Sequence, residues 1–286
     1  MTEKYLLFIA LCLLNPTIEN IGLGFQKMGI DRGAKAKSKG EKALWTFVWI
    51  FGFILSVSVA FIAFKILTLG NASTAGAFAG FGLVALTLFS YFILKETILK
   101  QELAGIALIM IATSILGYFS HGSQSETAHV NSTNMIYFFV GYLILIGIGG
   151  AILTKRLKTL GGLILGLIAG SMAGVGYGLQ KIVSPMFMEL FKNFNGENLG
   201  KIATEPINWI MVLCAIGGVV ILQFAYKYGK AVQVVPTRAA AFIMTPLISG
   251  LVYLGEKVPV ICLASIVLVI LGVVVTTTAN PAKHGH

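Results

Sequence analysis

Charged residues are scarce in this sequence, and long stretches of the chain contain none. Only 11% of the 286 residues are Asp, Glu, Lys or Arg, whereas 57% are hydrophobic, and the mean hydropathy is +0.88. A soluble domain has roughly a quarter of its residues charged. A water-soluble core does not account for this composition, and the recurring apolar runs of near twenty residues indicate an integral membrane protein.

Several functional motifs are also missing. The sequence has no HExxH or Gly-x-Ser-x-Gly motif, no P-loop, and no pair of carboxylates within an apolar run. These absences argue against an enzyme, an ATP-driven pump and a bound cofactor. Cys12, Cys214 and Cys262 lie singly in apolar runs without metal-ligand spacing, so we expect small buried hydrophobic side chains. Metal ligands are not identified.

The net charge of +10 comes from Lys and Arg residues in the short segments between apolar runs. This distribution orients helices in a bilayer and does not indicate a nucleic-acid partner. Most of the 21 Lys and Arg residues fall on one side, which we expect to be cytoplasmic. The N-terminus is then outside and the C-terminus inside. The expected partners are the lipid bilayer and a small-molecule or cationic substrate; the oligomeric state is open, with a homodimer as one option.

Nine apolar runs are long enough to cross a hydrocarbon core of about 30 Å as helices. They cover residues 5–26, 44–69, 72–94, 103–119, 135–153, 160–183, 207–228, 234–254 and 258–277. We therefore predict an all-α fold, a polytopic membrane protein of about nine transmembrane helices.

The two halves of the chain resemble each other. Two pairs of segments match in the same order: residues 21–27 (IGLGFQK) with 175–181 (VGYGLQK), and residues 94–96 (LKE) with 254–256 (LGE). Five spans separate equivalent positions, and an odd number means that the second copy is inserted upside down. Inverted repeats of this kind allow many secondary transporters to form outward-open and inward-open states.

The duplication predicts how the chain is organised. Residues 1–120 form a first repeat of four helices, residues 160–286 form a second, inverted repeat of four helices, and residues 121–159 form a connector that contains the fifth helix. In the sixth span, glycine recurs at every fourth residue, at Gly166, Gly170, Gly174 and Gly178. Such a strip lets another helix approach closely, for static packing or as a sliding surface.

Short motifs resemble the drug/metabolite transporter superfamily, in which two copies of a four- or five-helix unit are joined in inverted orientation. Residues 24–29 (GFQKMG) and 90–96 (SYFILKE) resemble its NIPA-like branch, whose members are described as nine-span magnesium transporters. Residues 246–251 (PLISGL), followed by Gly255-Glu256, resemble the end of an EamA-type unit. The resemblance covers nearly the whole chain and implies a transporter.

One departure from the NIPA-like pattern concerns the second helix. That pattern has a Gly-Glu pair and an Asn-Phe pair there, whereas residues 51–64 contain neither an acidic residue nor an asparagine. Mg²⁺ prefers oxygen ligands and usually one or two carboxylates, so the departure weakens the magnesium interpretation.

Glu19 is the acidic residue that lies well inside a predicted span. A carboxylate in hydrocarbon is costly unless it is protonated, paired or exposed to water, so it indicates a functional site by default. Residues 19–27 are also similar to the first helix of the small multidrug resistance proteins, where the glutamate binds protons and cationic substrate in competition. The resemblance implies the same role for Glu19. A structural ion pair of Glu19 with Arg238 or Lys227 is the alternative.

Other polar residues could complete a cavity around Glu19. Pro16, one turn before it, removes a backbone hydrogen bond and leaves a carbonyl free. The candidates for binding the substrate or a coupling ion are Glu19, Asn15, Asn20, Gln26, Tyr177, Gln180 and Arg238. Arg238 is an interfacial anchor in the alternative interpretation. Glu96 and Glu256 lie in short turns, where we expect them to cap the next helix or to pair with a lysine.

The sequence thus predicts a secondary transporter that moves a small organic or cationic solute by alternating access, with proton coupling through Glu19 as an option. Two alternatives stay open. One is a NIPA-like transporter of magnesium or another divalent cation, and the other is a structural membrane protein that transports nothing.

Overall fold

The structure is a computed structural model that describes residues 3–95, 97–119, 130–149, 161–228, 231–256 and 259–278, and in these ranges it contains helices and no strand. The α-helices are α1 (Glu3–Lys35), α2 (Lys39–Leu69), α3 (Ala72–Ala77), α4 (Ala79–Phe89), α5 (Lys100–Phe119), α6 (Ser132–Ile144), α7 (Gly161–Lys192), α8 (Gly196–Thr204), α9 (Pro206–Tyr228), α10 (Ala231–Val252) and α11 (Val260–Thr278). Single π-helical turns follow α4 (Ser90–Leu94) and α6 (Leu145–Gly149).

Six helical segments in the described ranges are long and apolar enough to cross a membrane. They are Glu3–Lys35, Lys39–Leu69, Ala72–Leu94, Gly161–Lys192, Pro206–Tyr226 and Val234–Val252, and shorter apolar helices cover Ser132–Gly147 and Val260–Gly272. The prediction of an all-helical protein with several membrane spans is confirmed at this level. The number nine and the inverted repeats stay predictions.

The basic segment between the first two spans forms the ends of two long helices. Ser38 is the N-cap of α2 and forms a capping box. Its hydroxyl accepts a hydrogen bond of 3.1 Å from the backbone amide of Glu41, and the Glu41 carboxylate accepts one of 3.4 Å from the backbone amide of Ser38. The two helices approach closely at Gly22 and Gly52, where a Cβ added to Gly52 would lie 2.5 Å from the carbonyl oxygen of Gly22. Glycine at these positions permits the contact.

The third predicted span is interrupted rather than continuous. It divides into α3 and α4 at Phe78 and ends in the π-helical turn. Lys95 follows in the left-handed conformation, with φ of 60°, which is uncommon for a residue with a Cβ. Gly255, after α10, has φ of 66° at the matching place of the second half.

Helix α7 lies at the centre of the bundle and packs against α2, α9 and α10. Its glycine strip faces α10. A Cβ added to Gly166 would lie 3.1 Å from the carbonyl oxygen of Val234, and one added to Gly174 would lie 2.7 Å from the Cβ of Thr245. A Cβ added to Gly170 would meet the backbone carbonyl of Arg238, and one added to Gly178 would meet the side chains of Ser249 and Tyr253. The strip accounts for the short distance between α7 and α10.

Gly170→Ala should destabilise the protein, because the added methyl group would collide with the backbone of α10 at Arg238. Overpacking of this kind costs about 1–3 kcal/mol, and we expect a melting temperature several degrees lower in detergent. Gly176→Ala is the matched control on the same helix, since the nearest atom to its Cβ is 3.5 Å away. Equal melting temperatures of the two variants would contradict the close approach.

Candidate functional site

An ion pair joins α1 to α10 in the interior of the bundle. A guanidinium nitrogen of Arg238 donates a hydrogen bond of 2.8 Å to a carboxylate oxygen of Glu19. The two side chains are 14% and 19% exposed, respectively. Of the two basic residues considered as partners for Glu19, the structure places Arg238 there.

Glu19 lines two internal cavities. The smaller one, of about 20 Å³, lies toward the N-terminal end of α1 and is also lined by Cys12, Asn15 and Tyr177. The ring of Tyr177 lies edge-on to that of Phe242, with 5.4 Å between the ring centroids, and closes one wall. A cavity of this size holds about one water molecule or one small dehydrated ion.

The small cavity brings oxygen atoms together. The side-chain oxygen of Asn15 is buried and has no hydrogen-bond partner in the described part of the chain. Pro16 has no N–H to donate to the carbonyl of Cys12, and both residues line the cavity. A buried oxygen without a partner costs about 1–3 kcal/mol. A water molecule or a cation beside Glu19 would satisfy the Asn15 oxygen.

The larger cavity, of about 70 Å³, contains both members of the ion pair together with Gln26 and Ser56 in its lining. Gln26 is held from two helices. Its amide nitrogen donates to the hydroxyl of Ser56 on α2 at 3.0 Å, and its amide oxygen accepts from Gln223 on α9 at 3.2 Å. Gln26 therefore lies next to the ion pair in a fixed orientation.

A third cavity, of about 60 Å³, continues toward the C-terminal end of α1. It is lined by Lys27, Thr87 and Glu102 among others, and it shares Leu23 with the larger cavity. The three cavities follow one another along α1, from Lys27 through Leu23 to Glu19 and Asn15. Side chains along α1, from Lys27 to Asn15, thus line all three cavities.

Asn20 and Gln180 do not line the two cavities at Glu19 and instead join helices. Asn20 donates to the carbonyl of Pro16 at 2.8 Å, and its amide nitrogen faces Gly82, where an added Cβ would meet it. Gln180 donates to the carbonyl of Ala60 on α2 at 2.9 Å. The structure thus brings Asn15, Tyr177, Gln26 and Arg238 to Glu19, and it places the other two candidates between helices.

Lys181 is a buried charge that sequence reasoning missed. Its ammonium group donates to the carbonyls of Leu67 and Gly70, at 2.7 Å each, at the C-terminal end of α2. The side chain is as buried as a core residue, with 5% of the residue exposed. The repeated Gln-Lys pair was the signal that could have found it.

Glu256, which we expected to cap the following helix or to pair with a lysine, instead binds the start of α3. Its carboxylate accepts from the amide of Ala72 at 2.8 Å, from the amide of Ser73 at 3.2 Å and from the hydroxyl of Ser73. Glu256 reaches α3 because the left-handed turn at Gly255 directs it there. The first amides of α3 are available to Glu256 because the side chain of Asn71, the N-cap residue, does not cap them. Glu96 lies outside the described residues.

A cation at Glu19 would find one carboxylate. In the part of the chain that the structure describes, no three His, Cys, Asp or Glu side chains group closely enough to hold a metal ion. Its remaining ligands would be neutral oxygens, such as that of Asn15, or water.

The chain is similar to a protein of Arabidopsis thaliana named "Probable magnesium transporter NIPA9", with 26% identity over 246 residues, which cover 81% of this chain and 70% of that protein. No family model and no solved structure matches. Together with the apolar helices, this similarity supports an integral, multi-pass membrane protein of transporter type that is similar to a NIPA-like protein. It is consistent with a protein that is not an enzyme.

Proposed function

We propose that this chain is a secondary transporter that carries a small inorganic cation by alternating access, with Glu19 at the cation site. The observation that carries the proposal is the cavity of about 20 Å³, to which Glu19 and the unpartnered oxygen of Asn15 both contribute. It accommodates a small ion and is too small for an organic solute. Carboxylate and amide oxygens are the ligands that hard cations prefer.

Mg²⁺ is the first cation to test, because the similar plant protein is named a magnesium transporter. Mg²⁺ usually keeps several of its waters and binds through one or two carboxylates, and the adjoining cavity of about 70 Å³ has room for such waters. A single carboxylate gives a weak site. Weak binding suits transport, since the ion must also leave.

Arg238 provides a means of release. A buried carboxylate without a counter-charge is costly, so Glu19 needs a cationic partner or a proton at every stage of the cycle. In the structure that partner is the guanidinium group. An arriving cation displaces Arg238 from Glu19, and the return of Arg238 expels the cation. A proton can replace the cation in the same exchange, which is how proton coupling would arise.

The packing of the helices supports two inverted repeats. Helix α1 packs on α2 and α4, and α7 packs in the same way on α9 and α10. The matching glutamines also contact opposite halves: Gln26 is bonded to Gln223 on α9, and Gln180 is bonded to Ala60 on α2. We take residues 1–120 and 160–286 as the repeats.

The turns at the ends of α4 and α10 add support for the duplication. Lys95 and Gly255, one residue before the matching glutamates, are both left-handed. We propose that residues 121–159 form the connector between the inverted repeats. The excess of basic residues on one side supports an N-terminus outside and a C-terminus in the cytoplasm.

A small organic cation is the second candidate substrate. It is favoured by the spacing of residues 19–27, which is similar to that of the small multidrug resistance proteins, and by the adjoining larger cavity. In this case Glu19 would bind the charged nitrogen of the substrate.

Uptake by proteoliposomes separates the two candidates. Liposomes that contain the purified protein should accumulate isotope-enriched Mg²⁺ saturably and faster than protein-free liposomes. Excess Mn²⁺ should compete, whereas tetraphenylphosphonium should not. Uptake of tetraphenylphosphonium without Mg²⁺ uptake would instead favour the organic-cation transporter. A folded protein that moves neither would favour a structural role.

A further inference from the structure

We propose that Lys181 and Glu256 form a gate: they hold the turn between α2 and α3 closed over one end of the cavity series and release it when the site opens at that end. We call this the Phe8 end of the bundle, and the opposite one the Lys27 end. The proposal rests on the alternating access proposed above, because a gate has a function only if the site opens alternately at its two ends.

Lys181 holds the first side of the turn. The last carbonyls of a helix have no partner within it, and their partial negative charge attracts a cation. The ammonium group of Lys181 binds two carbonyls at the end of α2, that of Leu67 in its last turn and that of Gly70, the residue that follows the helix. Lys181 belongs to α7, which lies in the second half of the chain.

Glu256 holds the other side of the turn. The first amides of a helix also have no partner within it, and their partial positive charge attracts an anion. The carboxylate of Glu256 binds the amides of Ala72 and Ser73 and the Ser73 hydroxyl. Two buried charges from the second half therefore hold both helix ends that meet at this turn of the first half.

The same end of the bundle is closed by further contacts. A Cβ added to Gly70 would lie 2.5 Å from the ring of Phe8, which is fully buried. At the start of α6, the amide of Asn131 donates to the carbonyl of Tyr253 at 2.9 Å, and the side chain of Asn134 donates to the carbonyl of Val252 at 3.0 Å. The cavity at Lys27, by contrast, lies at the opposite end of α1.

Contacts made by charged side chains are well suited to a turn that must move away from its partners and then bind them again. Lys181 and Glu256 here bind neutral backbone groups, and water offers equivalent hydrogen bonds when the turn moves away. A permanent cap needs no charge: the neutral Asn71 stands at the N-cap of α3, yet its side chain does not cap the helix. The buried charges make the closed state stable while leaving the open state accessible.

The duplication predicts the gate at the Lys27 end. Lys181 matches Lys27, and Glu256 matches Glu96, in the two motif pairs that reveal the repeat. When the site opens at the Phe8 end, we expect Lys27, the match of Lys181, to close the Lys27 end; Glu96 lies outside the described residues.

Thiol labelling of purified protein tests the gate. Cys12 is 1% exposed and lines the small cavity behind the gate, so a variant that keeps Cys12 and carries Cys214→Ala and Cys262→Ala reports on opening at the Phe8 end. A second reporter protein lacks the three native cysteines and carries Thr87→Cys in the cavity at the Lys27 end. Glu256→Gln and Lys181→Gln should each raise the rate of maleimide labelling at Cys12 about tenfold or more and lower it at position 87.

Faster labelling at Cys12 together with slower labelling at position 87 distinguishes a gate from a structural cap. Unchanged labelling at both reporters would overturn the proposal, and so would a similar rise at both, since general loosening exposes the two ends alike. Glu197→Gln is the control: it removes an exposed carboxylate, bound to Lys201 at 2.8 Å, with the same change of charge, and should move neither reporter.

A milder variant keeps the test decisive if the charge variants fail to fold. Ser73→Ala removes the hydroxyl that donates to Glu256 and leaves both charges in place. It should give the same opposed change by about threefold. No change at either reporter would overturn the gate. Labelling requires no substrate, so a failure of Mg²⁺ uptake would count against the proposed function alone.

Discussion

Glu19→Gln should reduce cation uptake to the rate of protein-free liposomes. Glutamine keeps the volume and a carbonyl oxygen but removes the charge that holds a cation in the small cavity. The substitution also leaves the Arg238 guanidinium, 14% exposed, without its carboxylate. Breaking a buried ion pair from one side costs about 3–5 kcal/mol, so expression and melting temperature should fall as well.

Adding Arg238→Gln to Glu19→Gln separates function from stability. With both charges removed, the two amides can bond to each other, and the melting temperature should recover toward that of the parent. Uptake should stay at background. A double variant that transports as well as the parent would show that the pair is structural only, and Glu19 would leave the mechanism.

A matched control uses the other ion pair in the described part of the chain. Glu197 and Lys201 lie one turn apart on α8 and are exposed. Removing both charges there should change neither uptake nor melting temperature, because water and salt already weaken such a pair. The contrast assigns the effect at Glu19 to its position and not to the loss of two charges.

An all-helical protein with several apolar spans, and a carboxylate inside one of them, could be predicted from the sequence because lipid imposes a simple rule. A helix that crosses hydrocarbon must be apolar over about twenty residues, so a carboxylate within such a run is conspicuous. The partner of Glu19 could not be decided in this way. Arg238 and Lys227 are both basic residues near helix ends, and only the packing of α10 on α7 brings Arg238 to α1.

The binding partners of Lys181 and Glu256 could not be predicted for a related reason. Each lies near the end of an apolar run, where a charged side chain ordinarily reaches the interface. Their partners are far away along the chain, at Gly70 and Ser73, so nothing local indicates burial. Asn20 and Gln180 show the converse case, since a polar residue in a span gives the same pattern whether it faces a cavity or a neighbouring helix.

Asn15→Leu should stabilise the protein and slow transport at the same time. The buried oxygen of Asn15 has no partner in the described residues, and removing it relieves about 1–3 kcal/mol of desolvation. Leucine also fills part of the small cavity. We expect a melting temperature a few degrees higher, together with uptake reduced at least tenfold, because an oxygen ligand and the space for the ion are both lost.

A higher melting temperature together with a lower uptake rate would identify Asn15 as a ligand. A residue kept for stability would lower the melting temperature when replaced, and a residue of no importance would leave uptake unchanged. Thr17→Val is the control on the same helix: it removes a hydroxyl that donates to the carbonyl of Leu13, and it does not line the small cavity. An Asn15→Leu protein that melts higher and still transports at the parental rate would exclude Asn15 as a ligand. Such a result would also remove the main reason for placing a small cation, rather than an organic one, beside Glu19.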